Sequence, residues 1–525
     1  MGRTEPLAWG ADFVTRKQQR LCAYSQQGAT FDRLYQLLET PQWMRTALRR
    51  VLSNRGSRTP GVDGMTARHL QSEAAQEALV QDIVETMRSR RYHPQPVRRL
   101  YIPKASDPTK LRPLGVPTLR DRCVQEAVRM ILEPIYEPRF APHSYGFRPF
   151  RSAHHALARI HQLATAPKGP YTWVIEGDIR DCFGSVDHHV LLALLRQTIR
   201  DRALLAIIRG QLKAGALENL RYHETETGTP QGGVMSPLLA NIYLHALDQF
   251  VADQYEAVAS RSYRARLAKR GALVPCSIVR YADDFVVLVR GTEAQAQALK
   301  QALATFLREV LHMELAVEKT LVTPLTAGFD FLGYHIRAIH GKRDGRRKVI
   351  MRPSRRSIQR YRTTVRQMVI RYGQAADLRR LFWTLNGYIR GWSQYFAAGV
   401  SRWTFSALDA WIYRVLARWL LKRHQGHRRF GWRRVLGPYR VPRRRSIRRQ
   451  DQRRHGMTLG LWVDATRTRA VVLARLSDTP IRYSRLFGPY CPYVPQDRAI
   501  LRARRTRHAQ PTGVLVLHWL PAHTG

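Results

Sequence analysis

Apolar positions recur at helical spacing in FDRLYQLLETPQWMRTALRRVLS (31–53), which predicts a helix that breaks at NRGSRTPGVDGMT. Residues 66–89 predict another helix. The period then shortens: RRLYIPK (98–104) and LRPLGVPT (111–118) read as strands joined by ASDPTK, with a helix over 119–135. TWVIEGDI (172–179) reads as a strand, and SVDHHVLLALLRQTI (185–199) as a helix with a Ser or Asp cap. GTPQGGVMSPLLANIYLHALDQF opens as a Gly-rich loop and enters a helix, with Ser236 at the cap and Pro237 at the first helical position. A basic loop or insertion follows at 257–272. Beyond it come strand, turn and strand around VRYADDFVVL (279–288), a helix over 294–312, and the strand FDFLGYHI (329–336). Strands and helices mix without a βαβα repeat, which predicts an α+β fold with a largely antiparallel sheet. From 355 to 423 the pattern turns all-helical and aromatic, and no internal repeat is visible.

Charge changes the picture. The 525 residues hold 87 Lys plus Arg against 39 Asp plus Glu, a net +48 that predicts a polyanionic partner bound in a salt-dependent way. The excess is densest at 421–455, where 14 basic residues face one acid, Asp451. A hydrophobic fraction of 44% supports packed cores and argues against wholesale disorder. Cys22, Cys123, Cys182, Cys276 and Cys491 form no CxxC pair, which argues against zinc and a disulfide framework and fits a reducing compartment. The chain carries no apolar run of transmembrane length and no apolar signal core, so a cytoplasmic protein without a membrane partner is expected.

The adjacent carboxylates Asp283 and Asp284 sit between two apolar runs. Asp favours turns and accepts backbone hydrogen bonds, so a simple polar turn explains them as well as a metal site does. Asp178, at the end of the strand VIEGDI, shifts the balance. Strand-end carboxylates from neighbouring strands can hold two divalent cations about 4 Å apart, and Mg²⁺ suits such oxygen donors.

YADD, the Asp178 strand and LRPLGVPTLRDR together resemble a reverse transcriptase. TPGVDGMT, YIPK, SYGFRP, GTPQGGVMSPLLANIYL and FDFLGY narrow the resemblance to bacterial group II intron-encoded reverse transcriptase/maturases, over about residues 31–435. The resemblance implies a right-hand polymerase: fingers and palm with an antiparallel sheet, then an α-helical thumb or maturase domain and a basic C-terminal tail. It implies that Asp178, Asp283 and Asp284 bind two Mg²⁺ ions, with the Ile179 carbonyl as a further ligand. Phe183 matches the aromatic beneath the incoming sugar, where a ring excludes a 2′-hydroxyl; as an isolated residue it would read as core. Lys104 and Arg112 match the fingers residues that grip the triphosphate, as a point charge and a fork. Gln231 matches the residue near the nucleotide's 3′ side, and Lys319 a lysine that protonates pyrophosphate.

The implied organisation is an N-terminal extension (1–90), fingers and palm (91–340), a helical thumb/maturase domain (341–435) and a basic tail (436–525). Trp383, Trp392, Tyr395, Trp403, Trp411 and Trp419 recur at spacings of helix packing, interleaved with Arg390, Arg402, Arg414 and Arg418. Aromatics inside and arginines outside fit both a core and a track along a phosphate backbone. Many relatives end in an HNH-type endonuclease with paired cysteines and histidines. Here the tail has one cysteine, Cys491, and scattered histidines such as His508, His518 and His523, so no endonuclease is expected. The implied activity is RNA-directed DNA synthesis that copies a group II intron, with binding of intron RNA to assist splicing. Intron RNA, an RNA template with a DNA primer, target DNA and deoxynucleoside triphosphates are the implied partners. A splicing-only maturase and a domesticated or defence-associated bacterial reverse transcriptase are the alternative readings. A chain ended near residue 425 is expected to keep polymerase activity.

Overall fold

The computed structural model describes residues 8–104, 107–166, 170–218, 221–223, 227–229, 232–256, 274–316, 318–341, 345–373, 377–423, 436–442, 457–462, 469–482, 486–488, 490–508 and 516–518. The fold is α+β, and its contacts divide it into two units, Met1–Pro324 with Leu486–Arg507, and Leu325–Arg485 with His508–Gly525.

The first unit opens with α1 (Ala8–Gln26), α2 (Pro41–Ser53) and α3 (Glu73–Arg88). Helix α2 starts at Pro41 rather than at residue 31, because the ring fixes a helical φ and its missing N–H costs nothing at a first turn. Likewise α3 starts only after Ser72, whose hydroxyl accepts the Ala75 N–H. These helices surround α4 (Leu119–Tyr136), which is buried along most of its length; the Trp43 indole donates to the Ala127 carbonyl at 3.1 Å. Strands β1 (Val97–Lys104) and β2 (Asp107–Val116) pair antiparallel, and β1 also pairs parallel with β4 (Ala216–Glu218), itself joined to β5 (Arg221–His223).

The central sheet runs in the order β6 (Cys276–Tyr281), β7 (Asp284–Val289), β3 (Trp173–Gly177), β8 (Leu321–Pro324), antiparallel throughout. Phe285–Val289 are all buried, which explains why β7 reads as one unbroken apolar run. Ile175, Phe285, Val287 and Val289 share one core with Leu239, Tyr243 and Leu247 of the helix Ser236–Glu256 and Leu299, Leu303 and Leu307 of the helix Glu293–Glu309. Ser236 is that first helix's opening residue, one position later than a cap. The predicted insertion at 257–272 lies outside the described residues.

Leu486–Arg507 belongs to this first unit. Its helix, Pro495–His508, begins just after Tyr493, whose hydroxyl donates to Glu133 Oε2 of α4 at 2.6 Å. Residues 486–507 are therefore part of the unit that carries the central sheet.

In the second unit, β9 (Phe329–Phe331), β10 (Tyr334–His340) and β11 (Arg347–Pro353) form an antiparallel sheet, followed by the helices Arg355–Arg371, Leu378–Phe396 and Arg402–Arg423. Tyr361 is fully buried and packs on Tyr388 and Trp392, with ring centroids 5.5 and 4.9 Å away. Packing does not claim every aromatic. Trp383 and Trp403 lie off the buried stripes of their helices and are 62% and 85% exposed, against the helix-packing expectation. Arg402, Arg414 and Arg418 are exposed as well. Residues past the helix Arg402–Arg423 also join this unit: Asn386 donates to the Val472 carbonyl and accepts the Ala474 N–H, both at 2.7 Å, and Asp409 accepts the N–H groups of Leu476 and Ser477. Residues 424–435 and 443–456, the densest basic stretch, lie outside the described residues.

Candidate active site

The site grows from one hairpin. Tyr281 ends β6 and pairs with Asp284, the first residue of β7, so only Ala282 and Asp283 make the turn. Ala282 sits at φ 61°, a left-handed conformation uncommon for a residue with a side chain and characteristic of positions held by their surroundings. On the other side of β7, the last β3 pair is Gly177 with Phe285. The next residue, Asp178, therefore leaves β3 level with Asp284, and one sheet edge carries all three aspartates. A Cβ at residue 177 would run into the Phe285 ring, so this close pairing requires glycine.

Electrostatics record the convergence. Burial, with the charges of Asp283 and Asp178 adding to it, pushes the Asp284 carboxyl up to about 6. Asp284 nevertheless keeps an exposed surface, so its carboxyl stays open to solution. Lys319 supplies a counter-charge, with Nζ 2.7 Å from Asp178 Oδ2. The backbone bonds around Ile179 run from Ala316 N–H to the Asp178 carbonyl and from Arg180 N–H to the Glu314 carbonyl, flanking Ile179 without using its carbonyl. Three carboxylates and a carbonyl are hard oxygen donors of the kind Mg²⁺ prefers, and their mutual repulsion is relieved by a cation. The donor chemistry fits. The side chains are not drawn into a closed cage: among the described residues no cluster of three acidic, His or Cys groups stands ready around a metal position.

A buried network holds the turn from below, and the sequence reading did not single out its members. Arg280 donates to both Asp248 oxygens at 2.8 and 2.6 Å, to Asn241 Oδ1 at 2.9 Å and to the Ala282 carbonyl at 2.9 Å. Asn241 in turn donates to the Gly146 carbonyl at 2.8 Å. Gly146 lies so close to the turn that a Cβ there would meet the Ala282 nitrogen. SYGFRP, read only as a family motif, thus contains the backbone on which the Asp283 turn rests.

The other predicted residues fall in several places. Phe183 is half-buried rather than core, its ring edge-on to the exposed Phe147 with centroids 6.3 Å apart. Its carbonyl accepts the Thr229 N–H at 2.8 Å, which ties it to the start of the GTPQGG loop. Further along that loop, a Cβ at Gly232, φ 117°, would crowd the Gly115 carbonyl of β2. Arg112 is exposed on β2, opposite Ile102 of β1. Lys104 closes β1, but its side chain, like the whole of Gln231, lies outside the described residues.

Comparison with known proteins agrees with this geometry. Residues 102–336 match the reverse transcriptase (RNA-dependent DNA polymerase) family, and residues 358–437 match the group II intron maturase-specific domain. The Escherichia coli K12 protein YkfC is 37% identical over 342 residues, covering 62% of this chain and 88% of that protein. This chain belongs to the group II intron-encoded reverse transcriptase/maturase family. The group II intron-encoded protein LtrA of Lactococcus lactis subsp. cremoris is 39% identical over 350 residues, 58% of this chain and 57% of LtrA. A 91 kDa protein in the cob intron of Schizosaccharomyces pombe is 32% identical over 417 residues, 69% of this chain and 50% of that relative. The chain thus spans little more than half the length of LtrA. Among the described residues no helix is long and apolar enough to cross a membrane.

Proposed function

We propose that this protein is an RNA-directed DNA polymerase that copies group II intron RNA into DNA and binds the intron RNA to assist its splicing. The observation that carries the reading is the gathering of Asp178, Asp283 and Asp284 at one sheet edge, on a turn fixed by the buried Arg280. In this reading the β1–β2 hairpin belongs to the fingers of a right hand, the central sheet to its palm and the helices 355–423 to its thumb. Asp178, Asp283, Asp284 and the Ile179 carbonyl would hold two Mg²⁺, which when bound make a primer 3′-hydroxyl a better nucleophile and neutralise the leaving pyrophosphate.

The chain's own groups do the rest. Arg112 and Lys104 orient the triphosphate from β2 and β1, the arginine by a planar fork and the lysine as a point charge. Phe183 presents a ring edge beneath the sugar and leaves no room for a 2′-hydroxyl, which favours deoxynucleotides. Gln231 approaches the nucleotide's 3′ side. Lys319, beside Asp178, delivers a proton to the departing pyrophosphate. RNA template with DNA primer, intron RNA and target DNA bind to a surface whose net charge of +48 favours phosphate backbones.

The test is primer extension by the full chain on an RNA template, run beside splicing of the intron RNA flanking its gene. Mg²⁺-dependent cDNA synthesis and accelerated splicing support the proposal. RNA binding and splicing without any extension would leave a splicing cofactor and overturn it.

A further inference from the structure

Two of the five cysteines meet although 469 residues separate them. Cys22 Sγ on α1 lies 3.2 Å from Cys491 Sγ, and both thiols are free and buried. Their positions are held from both sides. Helix α1 is pinned to α4 by Gln18, which donates to the Met130 carbonyl at 2.8 Å, and by Ser25, which donates to the Ile135 carbonyl at 2.5 Å. Cys491 sits in a tight turn just before the helix Pro495–His508: its N–H donates to Asp497 Oδ2 at 2.9 Å, and its carbonyl accepts the Val494 N–H at 3.1 Å. Tyr493, two residues on, is anchored to Glu133. Sulfur contact between two such anchored elements brings the pair within reach of a bond.

We infer that Cys22 and Cys491 form a reversible disulfide that staples the C-terminal segment 486–507 to the polymerase unit, with a disulfide oxidant such as oxidised glutathione as co-reactant. Cys491 is the attacking partner. The hydrogen bond from Cys22 holds its thiol below the usual range against the opposing effect of burial, and the N–H groups of Tyr493 and Val494 assist. Cys22, by contrast, is pushed upward by the same hydrogen bond and by burial. Cys491 is also the more accessible sulfur, at 7% exposure against 1%. Its thiolate attacks one sulfur of the oxidant, forming a mixed disulfide and expelling one glutathione thiolate. Cys22 then loses its proton and attacks the Cys491 sulfur, expelling the second glutathione. Two protein thiols are oxidised, one glutathione disulfide is reduced to two thiols, and both protons leave to solvent or glutathione. Closing so long a loop restricts the unfolded chain strongly, so the staple raises stability as well as fixing the segment.

The test uses the full chain, folded, incubated with oxidised glutathione, then unfolded in denaturant containing the alkylating reagent so that every remaining thiol reacts, and read by peptide mass spectrometry. Cys22 and Cys491 disappear together from the alkylated pool and reappear as one linked peptide, while Cys123, Cys182 and Cys276 stay alkylatable. The oxidised protein melts several degrees higher than the reduced protein, and dithiothreitol reverses the shift. Cys491→Ser abolishes both the linked peptide and the gain, and Cys22→Ser does the same on the other side of the pair. The wild-type alkylation result stands even where a variant folds poorly. Full alkylation of Cys22 and Cys491 after oxidant exposure, or glutathione retained on either without a link between them, overturns the inference.

Discussion

Arg280 and Asp248 face each other through two hydrogen bonds, 2.8 Å from Nε to Oδ1 and 2.6 Å from Nη2 to Oδ2, with neither side chain exposed to solvent. The remaining guanidinium nitrogen reaches the Ala282 carbonyl and Asn241. One buried cation therefore determines where the Asp283 turn sits. Arg280→Met leaves Asp248 charged and unpartnered in the core, a loss of about 3–5 kcal/mol. Arg280→Lys keeps the charge but cannot fork, so it should fold better than the Met variant and still extend primers poorly. Chemical denaturation beside primer extension checks this. Wild-type extension by Arg280→Lys would mean that the turn does not depend on the fork.

Phe183 should act as a sugar filter rather than a core residue. It is half-buried and its ring lies edge-on to the exposed Phe147, so Phe183→Val removes less packing than a substitution in the core. Stability should change by less than about 1.5 kcal/mol, while ribonucleotide incorporation rises relative to deoxynucleotide. Single-nucleotide incorporation with matched dNTP and NTP reads the ratio. An unchanged ratio would assign the ring to packing alone.

Truncation near residue 425 should cost more than RNA affinity. The sequence suggested that such a chain keeps its polymerase, but the structure places Leu486–Arg507 in the unit with the central sheet. Removing it strips the Tyr493 hydroxyl from Glu133, whose side chain is 13% exposed. The truncated protein should melt lower and lose extension activity at moderate temperature. Its RNA binding should also show a shallower salt slope, by about 0.7 for each lost contact to a single strand. Differential scanning calorimetry with a salt titration of binding measures both. An unchanged melting temperature would show that the segment adds nothing to the unit that carries the central sheet.

Acid should loosen this unit through buried histidines. Burial holds His143 down at about 3, with Arg159 and Arg151 adding to the effect. Burial likewise holds His245 at about 4; Asp248 pulls the other way, and Arg280 and Arg148 push further down. Unfolded histidine titrates near 6.5. The folded state thus resists protons that the unfolded chain accepts, so this stability is complete above about pH 6.5 and is lost as pH falls toward 4 and 3. His143 Nε2 faces Arg159 Nη2 at 3.0 Å, and the uncharged His143→Gln can still accept that bond. Its melting temperature between pH 7.5 and 5 should fall less steeply than that of the parent. Parallel curves would assign the acid sensitivity elsewhere.

The sequence made local features legible and left distant ones hidden. The YADD hairpin and the Asp178 strand end were readable because alternation, turn residues and an apolar run are short-range signals. So was the cap of the helix His188–Arg196, where Asp187 accepts the N–H groups of His189 and Val190. By contrast, β11 was missed because RKVIMRP has charged residues at both ends and gains its pairing only from β10. Arg280 with Asp248, and Gly146 beneath Ala282, join residues far apart in the chain, and no single window holds both partners. The exposure of Trp383 and Trp403 was equally hidden: both have the residue type of a core position and lie one step off the buried stripe. The contact of Cys22 with Cys491 is the extreme case.

The central claim is that Asp178, Asp283 and Asp284 form one cation-binding catalytic set on a scaffold whose nucleic-acid affinity comes from elsewhere. The most direct measurement is Mg²⁺-dependent primer extension by Asp283→Ala, paired with its equilibrium binding to the same RNA. Extension should fall by about 10³-fold or more, several kcal/mol of lost transition-state stabilisation, with RNA affinity within about twofold of wild type. Extension by Asp283→Ala at near the wild-type rate would contradict the assignment.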